Sequence, residues 1–514
     1  MCIVNCIFAE SIAELRLPYS KDNGNANPNV ANDMGYPLKY FIFQPLWNYG
    51  TNKELVMRLA SDCQYEKKDD KVILKIVLRK NVFWHDGHPF SADDIIFTFD
   101  KIKESQMAQN KINLKVNNQY FSWTKVNDYE ISITLSDFYG PIFFQLSEIM
   151  ILPKHCFNDK IEFSQHPFMH HPIGTGPYKI EKWEQAAKIV LVPHTLFYEA
   201  VPKQKVVLRY FPDEESAMIA LENGEIDIKW LAPEHQKRAK EAGLNVLKYV
   251  YPFPITLATN WRNLPSIFGK KFGQLNAEEQ KKNLADFLIY IESCIDKNQV
   301  AKIVTKELGE ASYYIFAEEG SLDGYINKKN LPRKFNPKGK KYVLQRALKL
   351  ITYAGFPEYK LAAEIIQENL RKVGIELEII EIPEEQFFGY ILNPENANSW
   401  DFLLEEFPHA YWFDPDLYNE LSNKAFPPEG KNVGYYDNPK VEELLNQARK
   451  EMDLAKRKEL MYQVQDELYA FPDAIRLYTV KDAFGINKNV TGYPLDCSII
   501  RQFIRVFSHK LIKK

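Results

Sequence analysis

The densest group of chemically versatile side chains lies in one segment, residues 405–418, which reads EEFPHAYWFDPDLY. It combines aromatic rings, one histidine, several acids and two prolines that stiffen the backbone. Rings beside acids suit a ligand that carries an amine or another cation. The alternative interpretation is an ordinary loop between two lobes with a few aromatics packed beneath it. We expect at least one residue of this segment to contact a ligand.

Two groups of histidines are the other candidates for chemistry. His85 and His88 flank the dipeptide Asp86-Gly87, where a solvent-facing turn is favoured over a metal site. Three further histidines fall within residues 166–171, and imidazoles so close in sequence can hold a transition metal. A polar connecting loop is the favoured interpretation of that segment too. We therefore expect no resident metal.

Motifs for catalysis are missing from the sequence. The chain has no G-x-S-x-G, no HExxH and no Walker A segment. The glycines of Gly174-Thr175-Gly176 invite comparison with a phosphate cradle, but Pro177 removes an amide donor and a strand is predicted to follow. The sequence therefore predicts neither an enzyme nor a cofactor.

Size and charge narrow the class of protein. A chain of 514 residues and 60.0 kDa is too long for one compact core, so two or three lobes are expected. The net charge of -3 and the absence of a basic stripe argue against nucleic-acid binding. No stretch reaches the ~18 apolar residues of a membrane span.

The first residues favour export. Met1–Ala9 is apolar and is followed by polar residues, as at the end of a secretory signal, and the residues before Cys6 loosely match a lipoprotein box. A short N-terminal strand is the alternative.

The six cysteines form no CxxC pair, which gives no support to zinc ribbons or thioredoxin-like chemistry. Whether they form disulfides stays open.

Patterning predicts an α/β chain. An apolar alternation begins at Lys71, continues through Trp84 and predicts a strand before the Asp-Gly turn, and Ser91-Ala-Asp-Asp94 predicts a capping box at the start of a helix. Residues 214–224 read as a helix ended by glycine, and residues 362–380 as a helix, a Gly374 stop and a strand. Asn438-Pro439 predicts another helix start.

Five segments in this order resemble the family-5 extracellular solute-binding proteins of ABC importers, which include oligopeptide-, dipeptide- and nickel-binding members. They are Leu78–Asp100, Pro172–Trp183, Ala220–Ile228, Ala363–Ile379 and Tyr436–Glu467. One such motif would be weak, but five in register are specific.

The resemblance implies a periplasmic-binding-protein-like α/β clamshell (type II, cluster C) with two main lobes and an insert lobe. The implied division is lobe I at 10–42, 170–252 and 480–514, insert lobe II at 43–169, and lobe III at 253–479. The implied role is an extracytoplasmic, periplasmic or cell-envelope subunit that captures peptides and delivers them to the membrane subunits of an ABC permease. We expect a monomer without enzymatic activity.

Residue roles follow from the same resemblance. Peptide-binding members place an Asp four residues before the Pro of an Asp-Pro or Glu-Pro pair, where it clamps the peptide amino group. The matching position here is Tyr411, so Asp414 or Asp416 is the candidate substitute. Nickel-binding members carry an aromatic before Asp-Pro, as Phe413 is here, and His409 falls near their ligand-stacking Trp. The predicted ligand-binding set is Tyr36, Asn260, Trp261, His409, Tyr411, Trp412, Phe413, Asp414 and Asp416.

Two alternatives to peptide capture stay open. One is a binder of a nickel or other metal chelate, or of another small solute, since the aromatic residue before Asp-Pro also matches those members. The other is an enzyme on this scaffold, or a signalling or chaperone-like protein that has lost transport.

Overall fold

The structure is a computed structural model in which two compact units are distinguished. It describes residues 14–20, 22, 24–29, 35–50, 54–68, 71–105, 108–116, 119–157, 161, 166–250, 253–270, 272–319, 322–338, 342–406, 415–491 and 512–513. Unit 1 comprises Met1–Asp137, Ile142–Lys248 and Ala483–Lys514, and unit 2 comprises Phe138–Pro141 and Tyr249–Asp482. The predicted division into three lobes stays a prediction.

The helices and strands follow one another in mixed order. The first part of the chain contains β1 (Glu14–Tyr19), α1 (Gly35–Ile42), β2 (Trp47–Tyr49), β3 (Leu55–Met57), β4 (Ala60–Lys68), β5 (Lys71–Leu78), α2 (Ala92–Glu104), β6 (Lys115–Val116), β7 (Gln119–Tyr120), β8 (Ser122–Asn127), β9 (Glu130–Leu135), α3 (Ile142–Ser147), β10 (Tyr178–Glu184), β11 (Lys188–Pro193), β12 (Lys205–Tyr210), α4 (Glu214–Glu222), β13 (Ile228–Leu231), α5 (Pro233–Glu241) and β14 (Asn245–Val250). The remainder contains β15 (Ile255–Thr259), α6 (Ala277–Cys294), α7 (Lys297–Val304), β16 (Gly309–Ala311), β17 (Leu348–Ala354), α8 (Pro357–Arg371), β18 (Leu377–Pro383), α9 (Glu384–Ile391), β19 (Phe402–Glu406), α10 (Tyr418–Leu421), α11 (Pro439–Lys450), α12 (Leu454–Ala470), β20 (Ala474–Ile486), β21 (Val490–Thr491) and β22 (Ile512–Lys513).

Unit 1 contains two four-stranded sheets. One has the order β1-β12-β11-β10 with β1 parallel to β12, and the other is the antiparallel sheet β4-β5-β9-β8. The alternation predicted from Lys71 is confirmed, because Val72, Leu74 and Ile76 are buried on one face of β5. That strand ends at Leu78 and does not continue to Trp84 as predicted, because the chain next folds into the Asp-Gly turn.

The predicted start of α2 is confirmed. Ser91 and Asp94 form a capping box in which Asp94 Oδ2 accepts the Ser91 amide at 2.9 Å. Gly87 in the preceding turn has φ +88°, a conformation that glycine adopts without steric cost. The cap and the turn together fix where the helix begins.

Unit 2 is built on a mixed sheet in which β17 is parallel to both β18 and β19. β15 lies antiparallel between β19 and β20, and β16 pairs with β20. The apolar face of α8 packs on this sheet through Ala362 and Ile366, as the spacing predicted, and Gly374 ends the segment with φ +81°. Asn438 caps α11, where Pro439 is the first helical residue.

The chain passes from unit 1 to unit 2 in β14 and returns in β20, and these two strands pair with each other. Among the described helices, none combines the length and the apolar composition that crossing a membrane requires.

Candidate functional site

The carboxyl ends of three parallel strands meet at one edge of the unit 2 sheet. Ala354 ends β17, Pro383 ends β18 and Glu406 ends β19. In open α/β sheets, ligands bind beyond this edge, where the loops leave the strands. We call the acidic and aromatic residues gathered there the acid-aromatic edge: Tyr353, Phe356, Tyr359, Phe387, Phe388, Glu405 and Glu406.

Aromatic rings form a connected group at this edge. Tyr353 stacks on Phe387 with ring centroids 3.8 Å apart, and it meets Tyr359 edge to face at 5.4 Å and Phe356 at 5.6 Å. Phe388, next to Phe387 on α9, is 50% exposed. Packed rings with one exposed member offer a rigid apolar wall to a ligand at little cost in side-chain entropy.

Two adjacent carboxylates end β19 beside these rings. Glu405 is buried and Glu406 is half-buried, and successive strand residues point to opposite faces of the sheet. Burial raises the pKa of Tyr359 far above its ordinary value, and Tyr478 and both glutamates raise it further. The edge is therefore electronegative, and a cation placed there gains from both acids.

The long segment of unit 2, Tyr249–Asp482, begins and ends close to this same edge. β15 begins at Ile255, six residues after the chain enters unit 2, and Ile255 pairs with Glu406 on one side and with Tyr478 on the other. From Tyr478, β20 continues to Asp482, where unit 2 ends.

A buried ion pair fixes the other end of β19. Asp401 is fully buried, and its carboxylate accepts bonds from Arg346 at 2.6 and 2.8 Å, from the Lys349 amide at 2.8 Å and from Asn263 Nδ2 at 3.0 Å. Lys349 lies on β17, and Arg346 lies two residues before the first residue of that strand. The network therefore holds β19 in register with β17. Because Glu405 and Glu406 end β19, the same network fixes their position beside the rings.

Five of the predicted ligand-binding residues lie outside the described residues: His409, Tyr411, Trp412, Phe413 and Asp414. Tyr36 lies in the first turn of α1, and its side chain is likewise outside the description. The roles of these six residues stay predictions.

Asn260 and Trp261 follow β15 at the opposite edge of the sheet from Glu406. Antiparallel pairing places Thr259 beside Phe402 at the start of β19, about 14 Å of strand away from Glu406. Asn260 is fully buried, and its Nδ2 donates to the carbonyls of Ala397 and Trp400 at 2.7 and 2.9 Å.

Trp261 is half-buried beside Asn260. Its indole Nε1 donates to the carbonyl of Pro472 at 3.1 Å, and its ring meets Tyr436 edge to face at 5.5 Å. The structure thus does not bring Asn260 and Trp261 together with the acid-aromatic edge, and their predicted roles in ligand binding stay predictions.

Asp416 is buried in unit 2, two residues beyond the segment 407–414. Its carboxylate lies 3.2 Å from Nε of Arg449 and accepts the Tyr418 amide at 3.2 Å. Burial opposes the charge of Arg449, but Asp416 and Tyr139 outweigh it and raise the Arg449 pKa. The carboxylate of Asp416 thus fixes the point where the chain leaves this segment.

The Gly-Thr-Gly turn of unit 1 supports α1. The Gly176 amide donates to the Ile42 carbonyl at 2.8 Å, and a Cβ at Gly174 would overlap the same oxygen. His85 bridges this turn, because its Nδ1 accepts the Gly174 amide at 3.0 Å and its Nε2 lies 3.1 Å from the Gly176 carbonyl. Only glycines at 174 and 176 allow this approach to the helix that carries Tyr36.

His85 is buried, so the prediction that its turn faces solvent is wrong for this residue, while His88 is exposed. Burial, with the neighbouring His194, lowers the pKa of His85 to about 3, which keeps the ring neutral.

The 166–171 segment forms a short 3-10 helix at Pro167–His170 that His166 caps. His170 bonds the Gly24 carbonyl, and the ring of His171 meets that of Trp183 edge to face at 6.3 Å.

The acid-aromatic edge was only partly anticipated. Glu405 and Glu406 fall within the segment singled out for its rings and acids, but Tyr353, Tyr359 and Phe387 did not stand out. The signal that could have found them is the parallel pairing of three strands, each followed at once by aromatic residues. That pairing is a tertiary property and is not visible in local patterns.

Comparisons with known proteins agree with this architecture. An oligopeptide-binding protein AppA of Bacillus subtilis is 24% identical over 488 residues, covering 86% of this chain and 82% of that protein. The ABC transporter substrate-binding protein CtaP of Listeria monocytogenes has a solved structure with a TM-score of 0.78 and 19% identity, covering 98% of this chain and all of that one. NikZ of Campylobacter jejuni, solved with Ni(L-His), has a TM-score of 0.71 and 23% identity, covering 97% and 99%.

The fold and the family model define a solute-binding protein with a periplasmic-binding-protein-like α/β fold, so the predicted fold class is confirmed. The model of the bacterial extracellular solute-binding proteins, family 5, matches residues 54–426. The chain belongs to this family.

Proposed function

We propose that this protein captures peptides outside the cytoplasm and delivers them to the membrane subunits of an ABC importer. The observation that carries the proposal is the acid-aromatic edge, where Glu406 ends β19 near Tyr359, whose ring meets that of Tyr353 at 5.4 Å. A peptide brings an ammonium group for the acid and side chains for the rings, so both parts of the edge have a partner on the ligand. The relatives named for oligopeptide binding support the same choice.

Capture needs no chemistry on the ligand. Glu406 accepts the α-amino group of the peptide, the rings around Tyr353 cover its first side chains, and main-chain hydrogen bonds hold the rest in an extended form. Glu405, buried on the opposite face of β19, adds to the negative potential. The protein acts as a monomer and releases the peptide unaltered.

Export belongs to the same proposal. The apolar segment Met1–Ala9 serves as part of an export signal, and Cys6 is the candidate for a lipid anchor, which would hold the protein at the outer face of the membrane beside its permease. These residues lie outside the described part of the chain.

The test uses isothermal titration calorimetry of the purified chain with di- to pentapeptides, each with a free and an N-acetylated amino terminus. We expect Glu406→Gln to lower the affinity for peptides with a free amino terminus ten- to a hundredfold, because a charge-assisted hydrogen bond is worth about 1.5–3 kcal/mol. The same variant should not lower the affinity for acetylated peptides, because acetylation has already removed the ammonium group that the carboxylate would bind. Glu378→Gln, an exposed acid near the start of β18, is the matched control.

Two outcomes contradict the proposal. Binding of Ni(II)-histidine without any heat from the peptides would establish the chelate alternative. Equal weakening of free and acetylated peptides by Glu406→Gln would show that this acid does not hold the amino group.

A further inference from the structure

Three metal-ligating side chains converge in unit 1, away from the acid-aromatic edge. Asp86 lies in the Asp-Gly turn, and His155 and Cys156 lie in the short 3-10 helix Lys154–Cys156. One ligand atom from each lies within 4.8 Å of the others, and His155 Nε2 is 2.8 Å from Asp86 Oδ2. Among the residues that the structure describes, this is the only group of three such side chains so close together.

Neighbouring contacts hold the two segments in this arrangement. Asp94 joins them, because its Oδ1 accepts the Lys154 amide at 2.9 Å while its Oδ2 caps α2 through Ser91. Trp84, buried at the base of the turn, meets the His155 ring edge to face at 6.2 Å. The backbone that presents the three ligands is therefore fixed by bonds that a metal ion would not disturb.

The side chains around the ligands resemble the support that metal sites require. His88 stacks on His155 with ring centroids 4.1 Å apart and an interplanar angle of 13°, which sets the plane of the imidazole. The second oxygen of Asp86 accepts the His88 amide at 3.0 Å, which orients the carboxylate. Such contacts to ligating groups orient them and raise metal affinity.

The ligand types select the ion. Thiolate, imidazole and carboxylate are the three ligands that Zn²⁺ uses, and three protein ligands leave one position for water. Bonds of about 2.0–2.3 Å put tetrahedral ligand atoms ~3.3–3.7 Å apart. Atoms of the group that lie as far as 4.8 Å apart therefore need to approach by about 1.1–1.5 Å, and the His155 and Asp86 atoms at 2.8 Å need to separate by about 0.5 Å. Calcium and magnesium, which take oxygen ligands, are disfavoured by the sulfur and the nitrogen.

We propose that Asp86, His155 and Cys156 form a Zn²⁺ site in unit 1 that is separate from the peptide-binding edge. On binding, the Cys156 thiol releases its proton to solvent and its sulfur lone pair forms the Zn–S bond. His155 binds through a ring-nitrogen lone pair and Asp86 through a carboxylate oxygen, which exchanges its contact with the histidine for the metal. The ion joins the Asp-Gly turn to the 3-10 helix and so stabilises unit 1 by linkage.

The test is a Co²⁺ titration of the chelator-treated, reduced protein followed by absorbance, because Co²⁺ replaces Zn²⁺ and reports its ligands. We expect a thiolate-to-cobalt charge-transfer band and the visible bands of a tetrahedral ion, both saturating at one equivalent and both abolished by added Zn²⁺. Cys156→Ser should remove the charge-transfer band, and His155→Asn and Asp86→Asn should each weaken Co²⁺ binding at least tenfold.

Matched controls separate this site from general thiol or histidine binding. Cys63, a half-buried free thiol on β4, provides Cys63→Ser, which should leave the spectrum unchanged. His88→Asn should keep the thiolate band, since His88 stacks on a ligand but is not one. Far-ultraviolet circular dichroism checks that each variant is folded. A missing thiolate band at one equivalent, or a band that survives Cys156→Ser, would overturn the proposal.

Discussion

The buried carboxylate at the start of β19 offers the sharpest test of how the acid-aromatic edge is held in place. Asp401→Ala removes the acceptor of four hydrogen bonds, two from Arg346 and one each from the Lys349 amide and Asn263. It leaves the Arg346 guanidinium without its carboxylate partner and the Lys349 amide without its acceptor, whereas Asn263 Nδ2 keeps its bond to the Trp400 carbonyl at 2.9 Å. The change lies at the end of β19 remote from Glu406, so it can affect ligand binding only by displacing or loosening the strand.

The expected cost follows from burial. Removing one partner of a buried ion pair costs about 3–5 kcal/mol because the remaining charge is uncompensated. Asp401 is fully buried, but the Arg346 side chain is 31% exposed and can turn to water, so the lower end of about 3 kcal/mol applies. At about 1.4 kcal/mol for each factor of ten, this predicts a rise in local opening on the order of a hundredfold.

Hydrogen–deuterium exchange of the β17 and β19 amides measures this opening without assuming that both units unfold together. The control is Arg371→Ala, which removes a bidentate pair with Glu368 of the same chemistry but on the exposed face of α8, and no change is expected there. A rise below threefold in Asp401→Ala, or an equal rise in Arg371→Ala, would refute the argument that burial makes this pair structural.

Two further predictions concern stability. Gly174→Ala should lower the melting temperature of unit 1, because its Cβ overlaps a carbonyl of α1. Gly273→Ala, in unit 2, meets no atom within 4 Å and should leave the melting of both units unchanged. Burial opposes ionisation of Glu292, but Lys297 and Arg333, at 2.6 and 2.7 Å, bring its pKa below the ordinary value of 4.5. A lowered carboxyl pKa stabilises the fold above pH 4.5 and loses that contribution as the pH falls, so urea midpoints between pH 5 and 3 should fall less in Glu292→Gln.

The sequence predicted the ends of helices well where those ends depend on residues close in sequence. The Ser91–Asp94 capping box, the Gly374 stop and the Asn438-Pro439 helix start are all found where the sequence placed them. Each depends on residues within one or two turns, and caps and glycine stops act at that range. The predicted strand from Lys71 began correctly and ended early, since where a strand ends depends on its partners.

The candidate sites were less predictable because they join distant segments. Tyr353 and Glu405 lie at neighbouring strand ends only because β17 and β19 run parallel in the same sheet. Asp86 and His155 are 69 residues apart and meet through the Asp94 cap. His85 has the neighbours of an exposed turn in sequence, yet its ring is buried against the Gly174 amide and the Gly176 carbonyl, which only the fold brings to it.

The segment 407–414 begins and ends at anchored positions. Asp401 fixes β19 before it, and the ion pair of Asp416 with Arg449 fixes the chain after it. The strand before these eight residues and the chain after them are thus each held by contacts that do not involve residues 407–414. Grafting the corresponding segments of relatives into this chain would therefore be a practical route to biosensors with altered ligand preference.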